Sequence, residues 1–331
     1  MKISYKNVEE AYKKHCNQLL EKLQSRQEIE LFTSGSTGRP KRILLRFSQI
    51  KASAEATLEF LAIKAGSRAL LCLPVDKVGG LMMLARAWLA DLELTVTRPQ
   101  AQPLKKIPGS FDFSAMTPHQ AWRSVGDLER IETLILGGGE IAPAFEKQLS
   151  KCEQRIYHSY GMTETLSHVA LRSVAPHPSQ FFRAMPGVLF AQDERNCLII
   201  KAPHLSIERL VTNDVVQLQD QQHFQWLGRY DNVVNSGGLK MYPEQLEKAH
   251  PAEFNYFLCG QADEQWGQSL VMVLEKDQRP GKQVLRQWLD QWAKFERPKK
   301  IYEVAKFIET SNGKLKRKQT FAQSKNQVKL S

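Results

Sequence analysis

From about residue 30 to residue 160, short apolar runs that read as buried strands alternate with stretches of helical pattern. That alternation limits the fold more than any other feature of the chain. The runs IELFT, RALLCL, LELTVT and ETLILG supply the strands. Between them a long helix is expected to open with Ser48 as its N-cap, and a second to run from Gly80 to Ala90. Thr117-Pro118 marks another helix start, with proline at the first helical position. Each helix carries the chain back so that the next strand runs the same way. A largely parallel sheet covered by helices follows.

From about residue 166 to residue 230 the pattern changes to short alternating runs, NCLIIKA, DVVQLQ and HFQWLG, which predict a β-rich end to the first domain. A boundary is expected near Gly228-Arg229-Tyr230-Asp231. It separates a large domain over 1–230 from a small α+β domain over 231–331. In the small domain helices are expected over Pro243 to His250 and Val284 to Phe295, and strands over Phe254 to Cys259 and Leu270 to Glu275. The fold class is α/β, and 331 residues suit such a pair of domains.

The five cysteines are scattered and never form a C-x-x-C pair. This argues against a disulfide framework or zinc site, and for the reducing cytoplasm. The charged N-terminus lacks the apolar core of a signal peptide, and no later run is long enough to span a bilayer. The net charge of +11 is unevenly placed: Lys294 to Ser331 holds eleven Lys and Arg against three Glu. Such a tail can bind nucleic acid, form a solvated surface, or attract polyphosphate ligands.

The densest chemistry lies in Thr33-Ser34-Gly35-Ser36-Thr37-Gly38-Arg39-Pro40-Lys41. A loop of Gly, Ser and Thr after a strand offers backbone N–H groups and hydroxyls to phosphate oxygens, and Lys41 adds a mobile cation. It is not a Walker A loop, because Arg39-Pro40 separate the second glycine from the lysine. Composition alone also allows a plain surface turn.

TSGSTGRPK closely resembles the phosphate-loop signature of acyl-adenylate-forming enzymes, the superfamily of acyl-CoA synthetases, nonribosomal adenylation domains and luciferases. Further segments follow in that family's order. Leu136-Gly137-Gly138-Gly139-Glu140 resembles the strand end and turn that flank adenine, which implicates Gly138 and Gly139. Nineteen residues after Gly139, the run from His158 to Thr165 resembles the YGxTE motif. The resemblance implies that Tyr160 and Gly161 meet the adenine, Thr163 the α-phosphate and Glu164 a magnesium ion. A ring, a hydroxyl and a hard carboxylate suit those tasks. Val211-Thr212-Asn213-Asp214 stands where the family carries TGD, so Asp214 is implied to accept from the ribose hydroxyls. Asn213 replaces the glycine, a mild change. Gly228 to Glu244 resembles the hinge and glycine-loop motif, with Arg229 on ribose or phosphate and Asp231 as hinge. Ser311-Asn312-Gly313-Lys314-Leu315-Lys316-Arg317 resembles GKxxR, which makes Lys314 the implied catalytic cation.

What the resemblance implies is an N-terminally shortened adenylating enzyme. Members usually carry well over a hundred residues before the phosphate loop, and this chain has 32. The implied ligands are ATP, Mg²⁺, a small-molecule carboxylate and CoA, with a homodimer left open. Nucleic acid is not expected, because it leaves the ordered nucleotide motifs unexplained. Leu73 to Gly80 aligns with a family segment of Pro, two residues, His and a glycine turn. Lys77 takes the histidine's place beside Gly79 and Gly80, either to pair a second substrate carboxylate or as a surface charge. Among subfamilies, short chains with this PVDKVGG-like segment most resemble o-succinylbenzoate–CoA ligases of menaquinone biosynthesis.

Overall fold

The computed structural model describes residues 1–33, 41–309, 315–324 and 326–328. The chain divides into two compact units. The first comprises Met1–Ala191, Ile199–Leu210 and Leu218–Gln225. The second comprises Gln192–Leu198, Val211–Gln217 and Trp226–Ser331.

The strands run in chain order as β1 (Lys2–Lys6), β2 (Ile29–Thr33), β3 (Lys41–Leu45), β4 (Arg68–Leu71), β5 (Glu93–Thr97), β6 (Phe111–Met116) and β7 (Ile131–Leu136). They continue as β8 (Arg155–Gly161), β9 (His168–Ala175), β10 (Phe181–Ala184), β11 (Leu189–Gln192), β12 (Cys197–Ala202), β13 (Ile207–Leu218) and β14 (His223–Arg229). The main sheet has the order β1-β5-β4-β6-β7-β8-β9-β10-β14-β13-β12-β11. From β1 to β8 every neighbouring pair is parallel. Antiparallel pairing begins at β8–β9 and continues to β10 and β14. Within the parallel part, β4 and β7 are buried over most of their length, as strands covered on both faces are. Leu70, Met116, Leu134, Leu136 and Ile156 pack together in one buried cluster.

Five helices belong to this unit: α1 (Glu10–Gln24), α2 (Phe47–Leu61), α3 (Val78–Leu89), α4 (Pro118–Arg123) and α5 (Pro143–Leu149). Helix α4 starts as its sequence predicts. Thr117 Oγ1 accepts from Gln120 N at 3.1 Å, and Gln120 Oε1 accepts from Thr117 N at 3.0 Å, a closed capping box. Helix α2 starts differently from expectation. Arg46 is its N-cap, and Gln49 supplies the oxygen that accepts the Arg46 N–H at 3.3 Å, so Ser48 lies inside the first turn. IELFT also departs from expectation. As β2 it pairs antiparallel with β3 in a separate two-stranded sheet, because the chain returns after the phosphate loop as a strand rather than a helix. FDFSAM, which forms the central strand β6, carries Asp112 and Ser114 and gave no clear apolar run.

The second unit contains β15 (Val234–Ser236), β16 (Leu239–Met241), β17 (Tyr256–Asp263), β18 (Gly267–Glu275), β19 (Lys300–Val304) and β20 (Asn326–Val328). Its helices are α6 (Pro243–Ala249), α7 (Lys282–Asp290) and α8 (Arg317–Ala322). The strands order as β16-β15-β18-β19-β20, with β17 also on β18. Helix α7 stops at Asp290, short of the expected Phe295, and β17 extends to Asp263, beyond the expected Cys259. All five cysteines are free thiols. Among the described residues no helix is long and apolar enough to cross a membrane.

Candidate active site

In a parallel sheet the strand dipoles and connecting loops converge at the carboxyl ends of the strands, and ligands bind there. The described motif residues of the first unit gather at that end. Pro74 to Gly80 follow β4, Thr117 follows β6, Gly137 to Gly139 follow β7, and Tyr160 to Thr165 close β8. An open cleft lined by Arg68, Asp112, Glu132 and Arg155 lies at the opposite, amino end of the same strands, and its mixed charges favour no one ligand.

Ser34, Gly35, Ser36, Thr37, Gly38 and Lys314 lie outside the described residues. Thr33 and Lys41, which border the phosphate loop, are paired residues of β2 and β3. After β7, a side chain at Gly138 or Gly139 would project into open space, so this turn leaves bare backbone for a flat ligand. His158 Nε2 lies 3.1 Å from the Gly139 carbonyl, and Ser159 Oγ donates to the Leu136 carbonyl at 3.0 Å. The Tyr160 ring stands edge-on to Phe224, centroids 5.1 Å apart, with Phe182 stacked on Phe224 at 5.3 Å. Behind it, Arg172 pairs bidentately with Glu146 at 2.7 and 3.0 Å.

The turn after β8 is tied by one buried threonine. Thr165 Oγ1 accepts from Met162 N at 2.9 Å and lies 2.6 Å from the Ser167 carbonyl. Gly161 is required there: a Cβ would come within 2.4 Å of the Ser167 carbonyl oxygen. With Thr165 turned inward, Thr163 is half-buried and Glu164 exposed. Leu166 closes the turn at φ +62°, a strained conformation for a branched side chain. Among the described residues no three His, Cys, Asp or Glu cluster as a metal cage. A single exposed carboxylate still suits Mg²⁺, which keeps waters and takes substrate phosphate oxygens alongside one or two protein ligands.

Lys77 is the N-cap of α3, about half exposed, 3.7 Å from the Asp76 carboxylate and 3.3 Å from the Phe32 carbonyl. Gly79 and Gly80 lie in the first turn of α3. A Cβ at Gly80 would fall 2.1 Å from the Pro74 carbonyl oxygen, so its glycine serves the close approach of helix to loop.

One residue of this end of the sheet carried no motif. Arg86, inside the almost wholly buried α3, is 2% exposed. Its Nη2 donates to Ser167 Oγ at 3.4 Å, and its Nε has no hydrogen-bond partner among the described residues. No described carboxylate pairs with it, and burial lowers its pKa to about 9. A buried cation without an acid is costly, and such groups mark functional sites. The sequence signal was an arginine in the otherwise apolar run LMMLARAWL.

In the second unit, Asp214 is buried, and its Oδ1 accepts from Trp226 Nε1 at 3.1 Å and Arg229 Nη1 at 3.3 Å. Asp231 sits in the exposed turn Tyr230–Asn232, 3.9 Å from Arg229. Asn232 Nδ2 donates to Glu244 Oε1 at 2.5 Å.

The AMP-binding enzyme family model matches residues 29–190. The 2-succinylbenzoate–CoA ligase of Enterococcus faecalis is 27% identical over 361 aligned residues, which span 95% of this chain and 74% of that protein. The Escherichia coli K12 protein of the same name is 27% identical over 80% of this chain and 62% of its own length. The crystal structure of an acyl-CoA synthetase (AMP-forming)/AMP-acid ligase II-like protein from Dyadobacter fermentans is 35% identical, with a TM-score of 0.66. The match covers 96% of this chain and 95% of that one. An o-succinylbenzoate CoA synthetase from Bacillus subtilis, in complex with its acyl-adenylate intermediate, shares the fold at a TM-score of 0.73 and 20% identity. It is matched over 88% of this chain and 68% of its own.

Proposed function

Because the chain belongs to the AMP-binding enzyme family of AMP-forming ligases, we propose that it activates an aromatic dicarboxylic acid with ATP and passes the acyl group to CoA. First, a carboxylate oxygen of the acid attacks the α-phosphorus, giving acyl-AMP and pyrophosphate. Then the sulfur of CoA attacks the acyl carbon, the acyl–phosphate C–O bond breaks, the thiol loses its proton, and AMP leaves.

Each residue has a task in this reading. Tyr160 and the bare turn Gly138-Gly139 take the adenine, and Gly161 shapes the turn that follows. The loop Thr33 to Gly38 and Lys41 wrap the phosphates, and Thr163 donates to the α-phosphate. Asp214 accepts from the ribose, with Trp226 and Arg229 orienting its carboxylate. Glu164 would hold Mg²⁺, which when bound neutralises phosphate charge. Lys314 steadies the charge developing at the attacked phosphorus. The mobile part is residues 231–331, hinged at Asp231.

Arg86 is the observation that carries the substrate. A buried guanidinium with no acid partner among the described residues calls for an anion from outside, and a planar carboxylate matches its fork. 2-Succinylbenzoate, named in the relatives above, has two carboxylates. Activation of the succinyl one leaves the ring carboxylate to be held. Lys77, exposed beside Asp76, is the weaker candidate for that role.

A pyrophosphate-release screen across aryl and acyl acids, with and without CoA, tests the proposal. 2-Succinylbenzoate should lead, with a thioester formed only when CoA is present. Equal release from monocarboxylic aryl acids would replace the diacid with a generic aryl acid.

Two variants address the roles of single residues. Glu164→Gln keeps the shape but loses the charge that favours a hard cation. The Mg²⁺ needed for half-maximal rate should rise roughly tenfold, the cost of about one charge-assisted contact. An unchanged Mg²⁺ titration would assign Glu164 a structural task. In Asp231→Pro the ring pins φ near −65°. Adenylation should persist while thioester formation falls, and wild-type rates in both steps would move the hinge elsewhere.

A further inference from the structure

A polar chain runs from α2 through His168 and Ser167 to Arg86. Thr57 Oγ1 donates its one hydrogen to the Ser53 carbonyl at 3.0 Å. With that hydrogen on the Ser53 carbonyl, a proton on His168 Nε2 completes the 3.1 Å contact with Thr57 Oγ1. In a neutral ring Nδ1 is then the acceptor, and Ser167 Oγ, 3.4 Å away, must donate to it. Ser167 Oγ keeps its lone pairs for Arg86 Nη2 at 3.4 Å. Burial and the nearby guanidinium hold the His168 imidazole well below its usual range, which keeps the ring neutral.

We infer that His168 is a positioning residue for substrate selection. Its neutral Nε2–H tautomer, clamped between Thr57 and Ser167, orients the Ser167 hydroxyl so that one edge of Arg86 is tied to the protein. Nε, which has no described partner, stays available to an anionic group of the acid. Protonated at Nδ1, the ring would instead donate to Ser167 Oγ, occupy one of its two lone pairs and leave the hydroxyl hydrogen without its imidazole acceptor. The inference rests on the assignment of Arg86 made above. It adds to it the reason a flexible arginine holds one orientation: Thr57 is fully buried, and the chain of bonds begins on a helix backbone. His168 is hydrogen-bonded to Ser167 and not to Arg86, so in this role it acts by positioning.

The test compares kcat/KM for 2-succinylbenzoate with that for 4-oxo-4-phenylbutanoate, which lacks the ring carboxylate. It uses the wild type, His168→Leu, His168→Gln and Arg86→Met. In His168→Leu the diacid-to-monoacid ratio should fall about tenfold, roughly the loss of one buried hydrogen bond, through the KM of the diacid. His168→Gln should recover most of it, because its amide nitrogen can donate to Thr57 and its amide oxygen accept from Ser167. An unaltered ratio in His168→Leu beside a collapsed ratio in Arg86→Met would overturn the role of His168 alone. A loss common to both acids would make His168 merely structural. A wild type without diacid preference, or an Arg86→Met with that preference intact, would remove the reading of Arg86 and this one with it. ¹⁵N NMR of the imidazole in the full-length protein gives a readout independent of substrate. Nε2 should be protonated and Nδ1 bare at neutral pH, and an Nδ1–H tautomer or an imidazolium would overturn the inference.

Discussion

Lys314→Ala is expected to remove most acyl-adenylate formation while sparing thioester formation from supplied acyl-AMP. The effect is electrostatic. Attack on the α-phosphorus builds negative charge on the equatorial oxygens, and a cation held beside them stabilises that state more than the ground state. Loss of one such group costs on the order of 10² to 10³ in rate. Glu309 and Leu315 form a β-bridge, and Lys316 N donates to the Ile308 carbonyl at 2.8 Å. Ile308 N donates to the buried Thr320 Oγ1 at 3.1 Å. Three residues beyond Lys314, Arg317 grips Glu247 bidentately, donates to the Leu258 carbonyl at 3.0 Å, and lies over the Phe257 ring. Burial raises the Glu247 carboxyl, and Arg317 opposes that rise. The measurement is single-turnover kinetics of the two half-reactions, assayed separately. Equal damage to both would make Lys314 structural, or would show that the domains do not alternate.

Strands β4 and β7 were legible because strands covered on both faces are mostly apolar, and ALL and LIL supply the buried runs in RALL and IETLIL. Phe111–Met116 escaped because Asp112 and Ser114 interrupt the run. Asp112 accepts the Arg68 backbone N–H at 2.6 Å and Ser114 donates to the Leu70 carbonyl at 2.9 Å, so both are satisfied by the neighbouring strand. Local periodicity does not see partners forty residues away. The start of α2 was misplaced for a related reason. Ser48 has the better capping side chain, but Gln49 closes on the Arg46 backbone and moves the boundary two residues earlier. The turns after β7 and β8 were legible because each is one contiguous run, Gly137 to Gly139 and Tyr160 to Thr165. The polar chain beneath Arg86 is not contiguous. Thr57, Arg86 and Ser167-His168 come from three separate elements, and only the folded chain brings them within hydrogen-bond reach.

Arg86→Met should leave the fold at least as stable as it is now, and should cost the enzyme its diacid preference. The two expectations share one cause. The guanidinium is 2% exposed, has no described acid partner and leaves Nε without a described hydrogen bond. Folding therefore strips its water without full compensation, and a methionine of similar reach would fill the same space in α3 without that penalty. A cation kept at such a cost is explained if the substrate supplies the missing charge. In the complex the ring carboxylate would pair with Arg86. In the Arg86→Met variant that carboxylate would be buried unpaired, a loss of about 2 to 5 kcal/mol. Expressed as kcat/KM for 2-succinylbenzoate, this corresponds to roughly 30-fold to several-thousand-fold. The monoacid 4-oxo-4-phenylbutanoate, which has no such charge, should lose far less and draw level with the diacid. Thermal unfolding of the variant separates the two effects: an unchanged or higher Tm with collapsed diacid activity is the expected pair. A lowered Tm with a proportional loss on both acids would make Arg86 a packing residue. A variant that still prefers the diacid would return the second carboxylate to Lys77, the described lysine at the N-cap of α3.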